Sequence, residues 1–440
     1  MVRAVVIGGG YAGLATAVRL AKLGHGVTLV EAADAVGGAL RPIAHDGFTW
    51  DASATHTLLP AVMRDLFRKS GRPLERELTL EPLEVLREHH FADGTSVRLH
   101  GGSRGAQLAA FDELAPGLGR QWVDHVARYA EDWEVLRTHY LESPWEPAAI
   151  PRVLAARLDS RESLAKRLKR SFNDERLRLV AGHPLAVGGH RLRDVPAWAG
   201  LTGYLEQRFG GWRIAGGMGE LGVALGRRLT TRGVEVHTGT SASDLVVDDG
   251  RAVAVATSAG ELDLGADGLV VCAVDPRRLP VLAPYVARTL PAFPPPTTHL
   301  GLAGLPDELT GLAPEVVLHG EPTLVVRTGG GAPDGQQAWT IHAYGKLLED
   351  VLIALARHGI DVREHVLTRV DLGAAELVRR WGGSPLGIQW AGRRTVRQRL
   401  GPRTPIPNVY AAGAHATPGA GLPFVGLSAA LVAQLVGPAE

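Results

Sequence analysis

The apolar positions change period twice within the first thirty residues. Ala4–Ile7 is a short apolar run, Leu14–Leu23 repeats at steps of three and four, and Val27–Val30 is a second apolar run. That pattern predicts strand, turn, helix, strand. Further on, Trp122, Val126, Tyr129, Trp133, Leu136 and Tyr140 fall on one face of a helical stretch over Gln107–Tyr140, broken near Pro116–Gly117 and closed by Pro144, Pro147 and Pro151. Ile150–Val180 is also helical in period, with Leu154, Leu158, Leu164, Leu168 and Phe172 on its apolar side. From Gly233 the period shortens to strands: Val234–Val236, Leu245–Val247, Ala252–Ala256, Leu262–Leu264 and Leu269–Val274, with a hairpin signal at Asp248–Asp249–Gly250. Pro291–Pro296 reads as a crossing between domains. More strands follow at His299–Leu302, Val316–His319, Leu324–Arg327 and Trp339–His342, then a helix over Lys346–Arg357.

The tail is unusual. Thr404–Ala439 contains no Asp, Glu, Lys or Arg, yet Pro405, Pro407, Pro418, Pro423 and several glycines interrupt it. Its continuous helical piece, Gly426–Val436, is far shorter than the roughly 20 residues of a membrane span. It reads as buried backbone packed on a ligand. Fifty-five glycines in 440 residues point the same way, to many places where backbone must turn sharply or approach a ligand.

Charge and composition then narrow the field. Lys plus Arg number 47 against 46 Asp plus Glu, a balance that leaves no electrostatic footprint for nucleic acid. The basic excess is local: residues 150–180 carry seven arginines and two lysines against four acids. Such a segment can make peripheral contact with an anionic membrane, and the plainer reading is the solvated side of ordinary helices. Cys272 stands alone, so it forms no internal disulfide and fits a reducing cytoplasm, and it reads as inert core. Adjacent His89–His90 lack metal-ligand spacing, and no metal site is expected.

The strongest chemical signal is Gly8-x-Gly10-x-x-Gly13, set between the first strand and its helix, with Glu31 ending the next strand. Gly8 permits a tight turn, Gly10 lets backbone approach a diphosphate, and Gly13 lets helix and strand pack closely. The helix N-terminus then faces the phosphates, and an acid at 31 suits a free ribose, hence NAD or FAD in place of NADP. Tyr11, Ala12 and Ala32 flank these positions as further candidate contacts. A second match, Gly217-x-Gly219-x-x-Gly222, lacks a good buried strand before it and an acid after it, and reads as a structural loop.

Gly37–Gly38, six and seven residues past Glu31, resembles the extension by which FAD enzymes of the glutathione-reductase-like superfamily hold the rest of the cofactor. Much of the chain resembles the bacterial phytoene desaturase family, FAD-dependent flavoproteins of the amine-oxidase superfamily. The likeness rests on Asp46–Gly47–Phe48–Thr49–Trp50–Asp51 with Thr55; on Phe91–Ala92–Asp93–Gly94; on Tyr204–Leu205–Glu206 with Gly211–Trp212 and Gly216–Gly217–Met218–Gly219; on Val270–Pro276; and on Asn408–Gly426. It implies an α/β fold with a discontinuous Rossmann-like FAD-binding domain (residues 1–80, 211–290 and 381–440) and an inserted α+β substrate domain (81–210 and 291–380). It also implies that Gly413, Ala414, Gly421 and Leu422 touch the flavin ring, that Thr55 lies near it, and that Ala242 presents backbone to adenine. Glycines at 413, 419 and 421 suit amides that reach a planar ring, and a helix starting near Leu422 would aim its positive end at the ring edge that becomes anionic on reduction.

The chain departs from that family at Ala39, where Arg is usual and Arg41 is the nearest replacement, and at Ser53–Ala54–Thr55–His56 and His415. His56 and His415 are therefore the candidate catalytic side chains, as a general base, as groups that orient a polar substrate, or as hydrogen-bonded walls. His190 and Arg191 are weaker candidates that read as surface loop. The resemblance implies dehydrogenation of an apolar, polyene-like small molecule by hydride transfer to the flavin. A redox-neutral isomerase or cyclase, an amine oxidase and a non-enzymatic FAD or apolar-ligand carrier are the alternatives. The sequence specifies neither substrate nor oligomeric state.

Overall fold

A computed structural model describes residues 2–144, 146 and 148–439; Pro147, counted above among the helix-ending prolines, lies outside them. The opening segment folds as β1 (Arg3–Ile7), α1 (Tyr11–Lys22) and β2 (Gly26–Val30). Both strands are buried almost throughout, as runs without alternation require when helices or sheets cover both faces. They lie in a parallel five-stranded sheet ordered Val409–Ala411, Leu269–Cys272, β1, β2, Glu235–His237. Strands from the start, middle and end of the chain thus share one sheet. Helix α1 packs on it together with Gly219–Thr231 and the C-terminal helix Leu422–Val436.

The glycine pattern has a steric cause. Gly8 sits at φ +102°, and a Cβ on Gly13 would overlap the Gly8 carbonyl oxygen, so β1 and α1 meet at a distance only glycine permits.

A second sheet of seven strands is ordered Val366–Leu372, Thr297–Ala303, Gln336–Tyr344, Thr323–Arg327, Glu315–Leu318, Val85–His90, Ser96–His100. One face is apolar: Leu300, Leu302, Val316, Leu318, Leu324, Val326, Trp339 and Ile341 pack under the helix Val351–Arg357. That helix begins at Val351, later than the period alone predicts, because the Asp350 carboxylate caps it by accepting the Leu352 amide at 2.8 Å. The opposite face is polar and buried, carrying Arg87, His89, His299, Glu315, His319, Thr340 and His342.

The helical layer comes from Arg104–Leu114, Leu118–Ala127 and Tyr129–Leu136, the break falling at Pro116–Gly117 as expected. The predicted face of Trp122, Val126, Tyr129, Trp133, Leu136 and Tyr140 is buried there, with Phe172 against Trp122. Residues 150–180 form Arg152–Leu158, Leu164–Ser171 and the start of Glu175–Ala186. Leu154, Leu158, Leu164, Leu168 and Leu177 are buried in this layer, while Leu179 is exposed. Arg157, Arg167, Arg170 and Arg176 are ion-paired. Among the described residues no helix is long and apolar enough to cross a membrane. Cys272 is buried in its strand, and burial pushes its thiol up to about 12.

The polar sheet face must satisfy itself. Arg87 donates to both carboxylate oxygens of Glu206 at 2.8 and 2.9 Å and, through Nε, to His89 at 3.1 Å; His89 Nδ1 meets His319 Nε2 at 2.9 Å. The Arg87 and Glu206 side chains are 4% and 3% exposed. Removing one partner strands a buried charge, whereas removing both with apolar residues of similar volume does not. Glu206→Ala should therefore lower unfolding stability by roughly 3–5 kcal/mol, read as a shift in the denaturation midpoint. The double variant Arg87→Met, Glu206→Leu should recover most of that loss; equal losses would contradict this account of the pair.

Candidate active site

The loop after β1 is built so that backbone, not side chain, faces a cavity of about 410 Å³. Gly10 is the N-cap of α1 and makes no side-chain cap, so the first-turn amides of the helix are not capped by a side chain. A Cβ on Gly10 would meet nothing within 4 Å, because it would point into open space. Gly37 and Gly38 hold left-handed backbone (φ +122° and +52°), and a Cβ on Gly38 would come within 2.9 Å of the Gly10 Cα. The glycine pair is thus a second backbone layer pressed on the first, fixed by the Gly37 amide donating to the Gly9 carbonyl at 2.8 Å.

Glu31 follows β2 directly. Its carboxylate accepts the Gly9 amide at 2.6 Å and the Ala33 amide at 2.7 Å, which holds it at the cavity wall with acceptor capacity to spare. Ala32, Ser241, Ala242 and Val274 line the cavity beside it.

The other end of the chain closes the same cavity. The strand Val409–Ala411 delivers Gly413 and Ala414, and Gly421 (φ +108°) delivers the N-terminus of the C-terminal helix, which again lacks a side-chain cap. Two helix N-termini, those of Tyr11–Lys22 and Leu422–Val436, therefore bring partial positive charge to one cavity. Gly8, Gly10, Tyr11, Ala12, Glu31, Ala32, Gly38, Ala39, Ala242, Gly413, Ala414, Gly421 and Leu422 all line it.

The remaining sequence candidates stand elsewhere. Gly13 and Gly37 act one step back, Gly13 by letting α1 approach β1 and Gly37 by bonding to Gly9. Arg41 turns outward to Asp34 at 2.8 Å. In the loop 51–57 it is Ala52, Ser53 and Ala54 that form the wall, while Thr55 and His56 stand off the lining and bond to each other at 3.3 Å. His56 packs under Gly211, and burial lowers its pKa. His190 accepts the Trp390 amide at 3.4 Å, and burial lowers its pKa to about 4, a more buried place than a surface loop.

His415 does line the cavity. It is 7% exposed and stands 3.4 Å from the Asp275 carboxylate; burial lowers its pKa, and the acid only partly offsets this. The second GxGxxG match is a structural turn: Asp51 accepts the Met218 amide within it at 2.9 Å and ties the loop 51–57 to it, and a Cβ on Gly217 would come within 3.1 Å of that carboxylate.

Sequence reasoning missed one wall. Thr297, Arg327, His342 and Tyr344, from three strands of the seven-stranded sheet, line the cavity next to the apolar side formed by Pro184, Pro294 and Pro295, the Thr297 hydroxyl donating to the Pro295 carbonyl at 3.2 Å. The signal lay in the two-residue period: Trp339, Ile341 and Ala343 alternate with Thr340, His342 and Tyr344. Arg327 is held by Glu315 at 3.0 Å and by the Ser53 carbonyl at 2.7 Å. Burial alone would raise the Glu315 pKa, but His183 and Arg327 hold it well below the usual carboxylate range.

Residues 11–300 match the family of flavin containing amine oxidoreductases. Along 99% of this chain and 97% of the relative, the sequence is 29% identical to a hydroxyneurosporene desaturase of Cereibacter sphaeroides. It is 30% identical to a zeta-carotene-forming phytoene desaturase of Myxococcus xanthus over 62% of this chain and 53% of that protein. Cyclohexylamine oxidase from Brevibacterium oxydans shares the fold, with a TM-score of 0.66 at 16% identity over 99% of both chains. The residues present fit FAD: open space above Gly10, a wall carboxylate for a ribose, and a glycine-rich second rim at Gly413 and Gly421. The chain belongs to the flavin-containing amine oxidoreductase family and is an FAD-dependent oxidoreductase.

Proposed function

We propose that the protein dehydrogenates an apolar, polyene-like small molecule, using a discontinuous Rossmann-like domain for FAD and an inserted α+β domain for the substrate. The observation that carries this reading is one cavity with a glycine-lined dinucleotide half and a second half walled by Pro184, Val187, Pro294, Pro295 and Leu386. Leu290 and Phe293, 57% and 56% exposed, stand beside Pro294 and give an apolar approach to it. The carotenoid desaturases among the relatives support the same substrate class.

The chemistry that FAD supplies when bound is acceptance of two electrons with a hydride from a substrate C–H. The chain's own part is to bind and orient. The amides at Gly10–Gly13 and the dipole of α1 would hold the diphosphate, Glu31 the ribose, and Gly413, Ala414, Gly421 and Leu422 the ring. Thr55 and Arg41 stand off the cavity lining, Thr55 on His56 and Arg41 on Asp34. Of the two histidines, His415 is the candidate to take the proton that leaves the neighbouring carbon: it is at the wall, 3.4 Å from the Asp275 carboxylate, and burial depresses its pKa, which leaves it neutral at pH 7.

Purified protein should be yellow, and Gly10→Val should abolish FAD retention, since the new side chain fills the space where the diphosphate lies; full retention in that variant would contradict the site. Mass analysis of the product should show loss of two hydrogens, whereas an unchanged mass would indicate isomerisation. A base must be deprotonated, so activity should fall as pH drops through the depressed His415 pKa. His415→Gln should keep FAD, lose about 10²-fold in turnover and flatten that acid limb. An unaltered limb would leave His415 as a wall residue only.

A further inference from the structure

The wall that adjoins the prolines is not apolar. Arg327 spends Nε on Glu315 and Nη1 on the Ser53 carbonyl, and Nη2 has no acceptor among the described residues. The Tyr344 hydroxyl has no hydrogen-bond partner among them either, and burial raises its pKa, so it remains a donor. His342, 7% exposed, meets the Thr297 hydroxyl through Nδ1 at 2.9 Å, and its Nε2 is unpartnered. Burial and the neighbouring Arg327 keep this imidazole neutral. All three side chains face the cavity, from positions 327, 342 and 344 of two paired strands.

Donors that line the cavity lose their water when an apolar molecule fills it, and a hydrocarbon could not satisfy them. They call for an oxygen acceptor. Its charge follows from the surroundings. Glu315 already balances the Arg327 guanidinium, so a carboxylate added beside Arg327 would find that cation already paired. We propose that Arg327 and Tyr344, with His342 beside them, form a recognition site for a neutral oxygen group, an alcohol or a carbonyl, carried by an otherwise apolar substrate. The site rests on the dehydrogenation reading above and sharpens its substrate class: a polyene with one oxygenated region. Glu315 is the positioning residue, since it fixes the guanidinium from behind.

The test uses the FAD-loaded protein and isoprenoid polyenes of one chain length ending in a methyl group, a primary alcohol, an aldehyde or a carboxylate. Binding is read as perturbation of the flavin absorbance, and dehydrogenation as anaerobic bleaching. The alcohol and the aldehyde should bind about tenfold more tightly than the hydrocarbon, and the carboxylate no more tightly than the hydrocarbon. Tyr344→Phe breaks no bond within the protein. It should cost the oxygenated ligands several-fold in affinity, leave the hydrocarbon within about twofold, and keep the FAD content. Equal binding of methyl and alcohol ends, or an equal loss on all four in Tyr344→Phe, overturns the oxygen site even if every polyene bleaches the flavin. Oxygen-dependent binding that Tyr344→Phe abolishes, without bleaching by any of the four, supports the oxygen site and overturns the dehydrogenation reading.

Discussion

The approach of α1 to β1 at Gly13 and Gly8 is the contact on which the rest depends. Because no Cβ intervenes, the helix begins at the end of its strand, and its uncapped amides open into the cavity at Gly10. Adding one methyl group at residue 13 would force helix and strand apart and withdraw those amides. The C-terminal helix repeats the device at Gly421, so one cavity receives the positive ends of two helices that lie some 400 residues apart in sequence.

The fold brings these distant pieces together through the parallel sheet, whose strands come from residues 3–30, 235–237, 269–272 and 409–411. The seven-stranded sheet supplies the other half of the cavity. Its polar face is unusual for a buried surface, and the ion pairs Arg87–Glu206 and Arg327–Glu315 show how it is neutralised. Tyr204–Leu205–Glu206, one of the stretches that carry the family resemblance, has a structural role in this arrangement through Glu206.

What the sequence disclosed was what local chemistry requires. Glycines that need close approach or positive φ, the helical face through Trp122 and Tyr140, and the strand–helix–strand opening all follow from spacing within a few residues. The polar wall was harder to read, because its members bond across long separations: 274 residues for Arg327 and Ser53, 45 for Thr297 and His342. The loop 51–57 shows the finer limit. Ala52 to Ala54 reach the cavity and His56 does not, a difference decided by the Asp51 bond to Met218 and by contacts with Gly211 that no local pattern encodes.

The most direct test of the central claim is a crystal structure of the purified yellow protein. The account predicts a single FAD per chain, with its diphosphate over the Gly10 amides, its ribose on Glu31 and its ring beside Gly413 and Leu422. A flavin bound away from Gly10, or one that touches only one end of the chain, would contradict it.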